Sequence, residues 1–193
     1  MTSESTSHDC TRPIQVTEDL RIRPYNEEDI DDLYPRLLAE QDELFMIGSI
    51  AGMKSVNDLH LEIDRVNALL RTSNRLGGAI ELRGRIVGSA RISHIVLGEE
   101  GDFGYWLFKE AREQGLVTQC GRTLIDTAFR KLDLTSVTVL AATQNRASCA
   151  VATRLGMTLD EVRPEWLHRS GRAYDATAIA SIEKTGSDLL RST

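Results

Sequence analysis

Cysteine, long apolar runs and surplus positive charge are all scarce in this chain of 193 residues, and each shortage excludes something. Cys10, Cys120 and Cys149 are odd in number and none stands in a Cys-x-x-Cys spacing. The sequence therefore indicates neither a disulfide framework nor a zinc site, and no metal is expected. The apolar stretches run to only a few residues, far short of the roughly 20 that a membrane-spanning helix needs. The opening MTSESTSHDCTRP has no apolar core, so the expectation is a cytoplasmic protein without a secretory signal. Lys and Arg number 23 against 29 Asp and Glu, a net charge of −6, which leaves no electrostatic footprint for a nucleic-acid backbone. The same balance suits a cationic or amine-bearing partner better.

What is present is ordinary globular composition, 41% hydrophobic and 27% charged, in a length that accommodates one domain. Residues 1–16 are rich in Ser and Thr and are expected to form a disordered polar tail. Residues 17–183 are expected to form a single domain, and 184–193 a second tail. Between the tails strand and helix patterns alternate. Leu20, Ile22 and Pro24 alternate with Arg21 and Arg23, a strand that stops at the proline. Asn26 followed by Glu27, Glu28 and Asp29 starts a helix running to about Ala39 through Pro35. A second helix covers 55–71, with Leu59, Ile63, Val66 and Leu70 on one face.

The period then changes to two. Residues 78–82, 86–96 and 103–108 read as an antiparallel meander with tight connections at 83–85 and 98–101. A long amphipathic helix follows, carrying Val117, Leu124, Ile125, Ala128 and Leu132. Residues 136–142 (SVTVLAA) read as a buried central strand, 146–155 as a short helix ending at Gly156, and 158–162 and 173–182 as two closing strands. Cys120 and Cys149 fall in helical patterns, as small buried hydrophobes. The order predicts an α/β fold: a mixed sheet with helices on both faces.

Two segments carry the chemistry. GYWLF at 104–108 leads through REQGLVT at 112–118 into the long helix. Free N–H groups at a helix start bind anions, and Gly115 would let a phosphate reach the backbone. Read alone, Gly115 fits better as a residue that merely eases a tight turn. Asn145 and Ser148 stand just beyond the carboxyl end of the buried strand, where ligands gather in open sheets. Asn145 equally serves as a helix cap. His94 and His168 are titratable near neutrality but are single residues with no partner pattern.

GYWL-x5-EQGLVTQ, then Asn145-x-x-Ser148-x-x-Val151-Ala152-x-x-x-Gly156-Met157, resembles the GNAT superfamily of acetyltransferases, and within it the RimJ/RimL branch of ribosomal-protein N-terminal acetyltransferases. The resemblance implies a mixed, mostly antiparallel sheet splayed open, with acetyl-CoA as cosubstrate in the gap. Its pantetheine would pair with the strand edge at Leu107 and Phe108. Its pyrophosphate would sit on the loop and helix start formed by Arg112, Gln114, Gly115, Leu116, Val117 and Thr118. Asn145 would bond the pantetheine arm, and Ser148 would protonate the departing thiolate. Glu165, in Glu165-Trp166-Leu167, would be the base that deprotonates the amine. The helices around 46–53 would shape the acceptor pocket. The acceptor is then a primary amine, on a protein N-terminus or a small molecule, with no metal and with a homodimer allowed. Glu113 departs from the family pattern, standing where glycine is often found beside the pyrophosphate; its side chain is expected to point outward. A module that binds acyl-CoA without turnover is the alternative reading.

Overall fold

The computed structural model describes residues 9–41, 53–169 and 172–184, with the backbone alone for 164–169 and 172–179. Leu20 and Ile22 are each 1% exposed and Arg21 points to solvent, so Leu20–Arg23 forms a strand, β2. It pairs with a two-residue edge strand, β1 (Ile14–Gln15). The expected disordered tail is thus corrected from Asp9 onward. Ile14 and Val16 pack on the core, Cys10 is buried, and burial plus edge pairing ties the segment down.

Asn26 starts a 3-10 turn (Glu27–Asp29), its N–H donating to the Asp29 carboxylate at 2.7 Å, and the chain continues as α1 (Ile30–Ala39). Pro35 sits on the exposed side of α1, where the carbonyl it leaves unpaired can meet water. α2 (Val56–Arg71) begins at a reciprocal cap: Ser55 accepts from the Asp58 N–H and Asp58 accepts from the Ser55 N–H.

The meander is β3 (Arg75–Leu82), β4 (Arg85–Val96) and β5 (Glu100–Leu107), each antiparallel to the next. After a 3-10 turn (Lys109–Ala111) come α3 (Leu116–Lys131), β6 (Ser136–Ala142) and α4 (Arg146–Arg154). The last two strands, β7 (Thr158–Arg169) and β8 (Arg172–Glu183), form a hairpin longer than the pattern at 158–162 and 173–182 predicts. The eight strands of the described residues stand in the order β1-β2-β3-β4-β5-β6-β8-β7.

One face of the sheet buries Leu76, Ile80 and Ile92 with α3 through Leu124 and Ala128. The other buries Ala79, Ile86, Trp106 and Phe108 with α1 and α2 through Leu33, Leu37, Leu59 and Ile63. Among the described residues every strand contact is antiparallel except that of β5 with β6. Those two run parallel and pair only at Glu100↔Ser136, Gly101↔Val137 and Asp102↔Thr138. Beyond Asp102 they diverge, while β6 stays paired with β8 as far as Ala142. The sheet is splayed at its centre.

Candidate active site

The divergence leaves one edge of β5 unpaired. The Phe108 N–H donates to the Val87 carbonyl at 3.0 Å, so Phe108 faces β4, and by strand alternation Leu107 turns its backbone into the gap. Phe108 is fully committed elsewhere. Its carbonyl accepts from Ala111 at 3.0 Å, and its ring is buried edge-on to Trp106 beneath the Arg36 guanidinium. Of the two residues expected to pair with a pantetheine, the geometry leaves Leu107.

At the mouth of the gap Gly115 caps α3 in the left-handed region (φ 74°), a conformation glycine adopts without strain. A Cβ there would meet no atom within 4 Å, so the space above this backbone is open. The helix's first carbonyl bond is Gln119 N–H to Gly115 O at 3.2 Å, which leaves the N–H groups of Leu116, Val117 and Thr118 without helical partners. Their side chains are buried and anchor the turn, and its first residues include no acid to oppose an anion.

Across the gap, Asn145 caps α4 by accepting from the Ser148 N–H at 3.1 Å, so its cap reading holds. Ser148, half-buried, accepts a hydrogen bond of 3.0 Å from the Tyr105 hydroxyl. Tyr105 lies on β5 and Ser148 on α4, so this bond spans the opening between the diverging strands. Burial pushes the Tyr105 phenol above its ordinary pKa, which keeps it a proton donor near neutrality. Tyr105 reads as a core aromatic in the sequence, and no local signal shows that its hydroxyl meets a residue 43 positions later.

The model of the acetyltransferase (GNAT) domain matches residues 19–158, well over half of the chain. The chain belongs to the GNAT acetyltransferase family. This GNAT chain is 26% identical over 173 residues to YdaF of Bacillus subtilis (strain 168), which carries the name of a ribosomal N-acetyltransferase. The match covers 88% of this chain and 94% of that one. In fold it is similar to RimL, a ribosomal L7/L12 alpha-N-protein acetyltransferase solved with coenzyme A (TM-score 0.82, 19% identity, 89% and 98% of the two chains). It is likewise similar to the microcin C7 self-immunity acetyltransferase MccE, solved with acetyl-CoA and AMP (TM-score 0.81, 19% identity, 88% and 94%). The reaction of the family member described here is acetyl-CoA-dependent N-acetylation. Among the described residues no group of His, Cys, Asp or Glu is arranged to hold a metal ion.

In the acetyltransferase's loop before α3 the polar side chains turn to partners within the fold. The Arg112 Nε donates to the Leu107 carbonyl at 3.2 Å, and its guanidinium stands 3.6 Å from the Glu40 carboxylate. Gln114 turns back to the Glu110 carbonyl at 2.9 Å. Both side chains brace the loop, which leaves the backbone as the surface it offers to an anion. Glu113 is exposed and left-handed (φ 63°), a conformation that glycine would adopt with less strain. The carboxyl end of α1 grips the same loop. Arg36 bonds Glu110 at 2.7 Å and the Ile86 carbonyl at 2.9 Å, and Glu40 accepts from the Lys109 N–H at 2.9 Å.

Glu165 lies in β7, where the register with β8 shifts between Pro164 and Leu167; its side chain, with that of His168, lies outside the described residues. His94 stands away from the gap, at an irregularity between β4 and β5, with φ 51° and Nδ1 3.0 Å from the Asp102 carboxylate.

Proposed function

We propose that this acetyltransferase acts on the amino-terminal amine of a protein, with Ser148 as general acid and Glu165 as general base. The observation that carries the assignment is the Tyr105–Ser148 hydrogen bond across the splayed strands, with the α3 amino terminus at the mouth of the same opening. The names carried by YdaF and RimL support the acceptor class.

Acetyl-CoA supplies a thioester carbonyl and a sulfur leaving group. The pyrophosphate suits the N–H groups of Leu116, Val117 and Thr118, and a pantetheine amide suits the gap-facing Leu107 backbone and Asn145. The amine nitrogen forms its bond to the acetyl carbon as the carbon–sulfur bond breaks. Glu165 takes the proton the amine sheds, directly or through a water. Ser148 gives its proton to the departing sulfur. With Tyr105 donating to the Ser148 oxygen, the serine's own hydrogen is left available for another acceptor. The phenol, held protonated by burial, can then reprotonate the serine and recover its proton from solvent.

A thiol-release assay with acetyl-CoA over a panel of amino-terminal peptides and small amines tests the reading. Turnover with peptides is expected. Coenzyme A binding with no turnover on any member would favour the binding-module alternative, and turnover restricted to small amines would move the acceptor to that class. The structure adds that no helix of the described residues is long and apolar enough to cross a membrane.

A further inference from the structure

A second cavity lies between α1, α2 and the sheet, on the face opposite α3. Its walls include Met53, Ile63 and Trp106, and its floor Arg75, Ser89 and Arg91. β3 and β4 pair Gly77 with Arg91 and Arg75 with Ser93, so the two arginines are diagonal neighbours on one face. Gly104 makes room for one of them: a Cβ at that position would stand 3.2 Å from the Arg91 Cζ, so the guanidinium lies against bare β5 backbone. Arg75 is 7% exposed, and its Nε has no hydrogen-bond partner. The acid nearest in the cavity, Glu62, is held in a two-point pair by Arg65 at 2.7 and 2.8 Å. Burial, and after it the charge of Arg91, lower the Arg75 guanidinium to about 10, so it stays charged at neutral pH.

A buried cation with no anion costs stability, and cavities that retain one are suited to a ligand that brings the anion. Trp106, one wall of this cavity, immediately precedes the gap-facing Leu107 on β5, so the cavity adjoins the splayed opening. We propose that this cavity is an acceptor subsite that binds a carboxylate or phosphate group through Arg75 and Arg91. It rests on the acetyl-transfer reading above and narrows it: the acceptor amine belongs to a molecule that also carries an acid.

The test is steady-state acetylation by the full chain with matched acceptors. One pair is amino-terminal peptides with Asp or Asn at the second position; the other is phosphoethanolamine and ethanolamine. The acidic member of at least one pair is expected to show a KM at least tenfold lower, and which pair does so identifies the source of the anion. Arg75→Met should bring that ratio below twofold while raising Tm, because a lone buried charge is removed; Arg75→Lys should keep part of the preference. Equal KM values within both pairs, or a preference that survives in Arg75→Met, would overturn the proposal. If no amine is turned over, the acetyl-transfer reading fails, and the subsite is then judged by inorganic phosphate at saturating coenzyme A. A Tm rise larger in the wild type than in Arg75→Met supports the site, and equal shifts sink it.

Discussion

Tyr105→Phe removes one oxygen and leaves the ring, which packs at 5.6 Å between centroids against Phe103. The perturbation is therefore confined to the 3.0 Å hydrogen bond to Ser148. A bond between two neutral hydroxyls contributes about 1 kcal/mol net, and Ser148 is only half-buried, so water can partly replace the donor. For a domain of this size that is a Tm decrease of about 2–4 °C. The same loss, expressed in the orientation of Ser148, lowers kcat about fivefold. Ser148→Ala, which removes the proton donor itself, should lower kcat by about 100-fold or more. The deciding measurement is the double variant. If Tyr105 acts only through Ser148, adding Tyr105→Phe to Ser148→Ala leaves kcat where Ser148→Ala alone puts it. A single-variant kcat equal to wild type, or two factors that simply multiply, would refute the relay.

Glu165→Gln should lower kcat by about 100-fold and flatten the acidic limb of the pH–rate profile, since the group whose protonation creates that limb is gone; a limb that persists would assign the base elsewhere. Gly115→Glu should abolish coenzyme A binding in a titration while the chain still folds. The side chain enters open space, and its left-handed backbone costs about 1–2 kcal/mol. Retained affinity would place the pyrophosphate elsewhere. Glu81→Gln should cost about 3 kcal/mol at neutral pH, because Glu81 and Arg23 are paired at 2.6 Å with side chains 8% and 11% exposed. Against the desolvation that burial imposes, hydrogen bonds from Arg21 and Arg23 hold the Glu81 carboxyl below its ordinary pKa. Its stabilisation is therefore present above the unfolded pKa and lost as pH falls through the folded one. The gap in Tm between wild type and Glu81→Gln should close in that acidic window; a gap constant with pH would mean the ion pair is not its source.

Periodicity made the elements legible because burial enforces it. Ser136–Ala142 has the bounds its apolar run predicts, and α2 begins at the expected Ser55. Strand ends were less legible. Arg75 begins β3 three residues before the apolar pattern starts, since a buried arginine breaks the alternation a reader looks for. The loop before α3 divides along the same line. The left-handed turn of Gly115 at the start of α3 depends on backbone alone, and one glycine before an amphipathic helix is enough to suggest it. What Arg112, Gln114 and Phe108 do depends on Glu40, Glu110, Val87 and Arg36, partners brought up by the fold. Tyr105 is the clearest case: its bond to Ser148 exists only because β5 and β6 separate after Asp102 and α4 closes over the opening.

Net charge shows why a sum over the chain is a poor guide to a site. A charge of −6 favours a cationic partner at distances where all charges act together, but salt screens that field over about 10 Å. Binding is decided closer in. A helix start can receive an anion even in an acidic protein, because its peptide N–H groups carry no net charge into the count. Many of the carboxylates that make the chain acidic are paired: Glu81 with Arg21 and Arg23, Glu62 with Arg65, Glu110 with Arg36. Arg75 is the exception in the other direction, a cation buried in a cavity with its Nε unmatched. The surplus of acids thus bears on how an amine approaches, and two arginines on the floor of a cavity bear on which amine-bearing molecule stays. Raising the salt concentration separates the two effects. It should slow capture of every cationic acceptor alike, yet leave most of the ratio between acidic and neutral acceptors, because a buried pair is screened far less than a surface field.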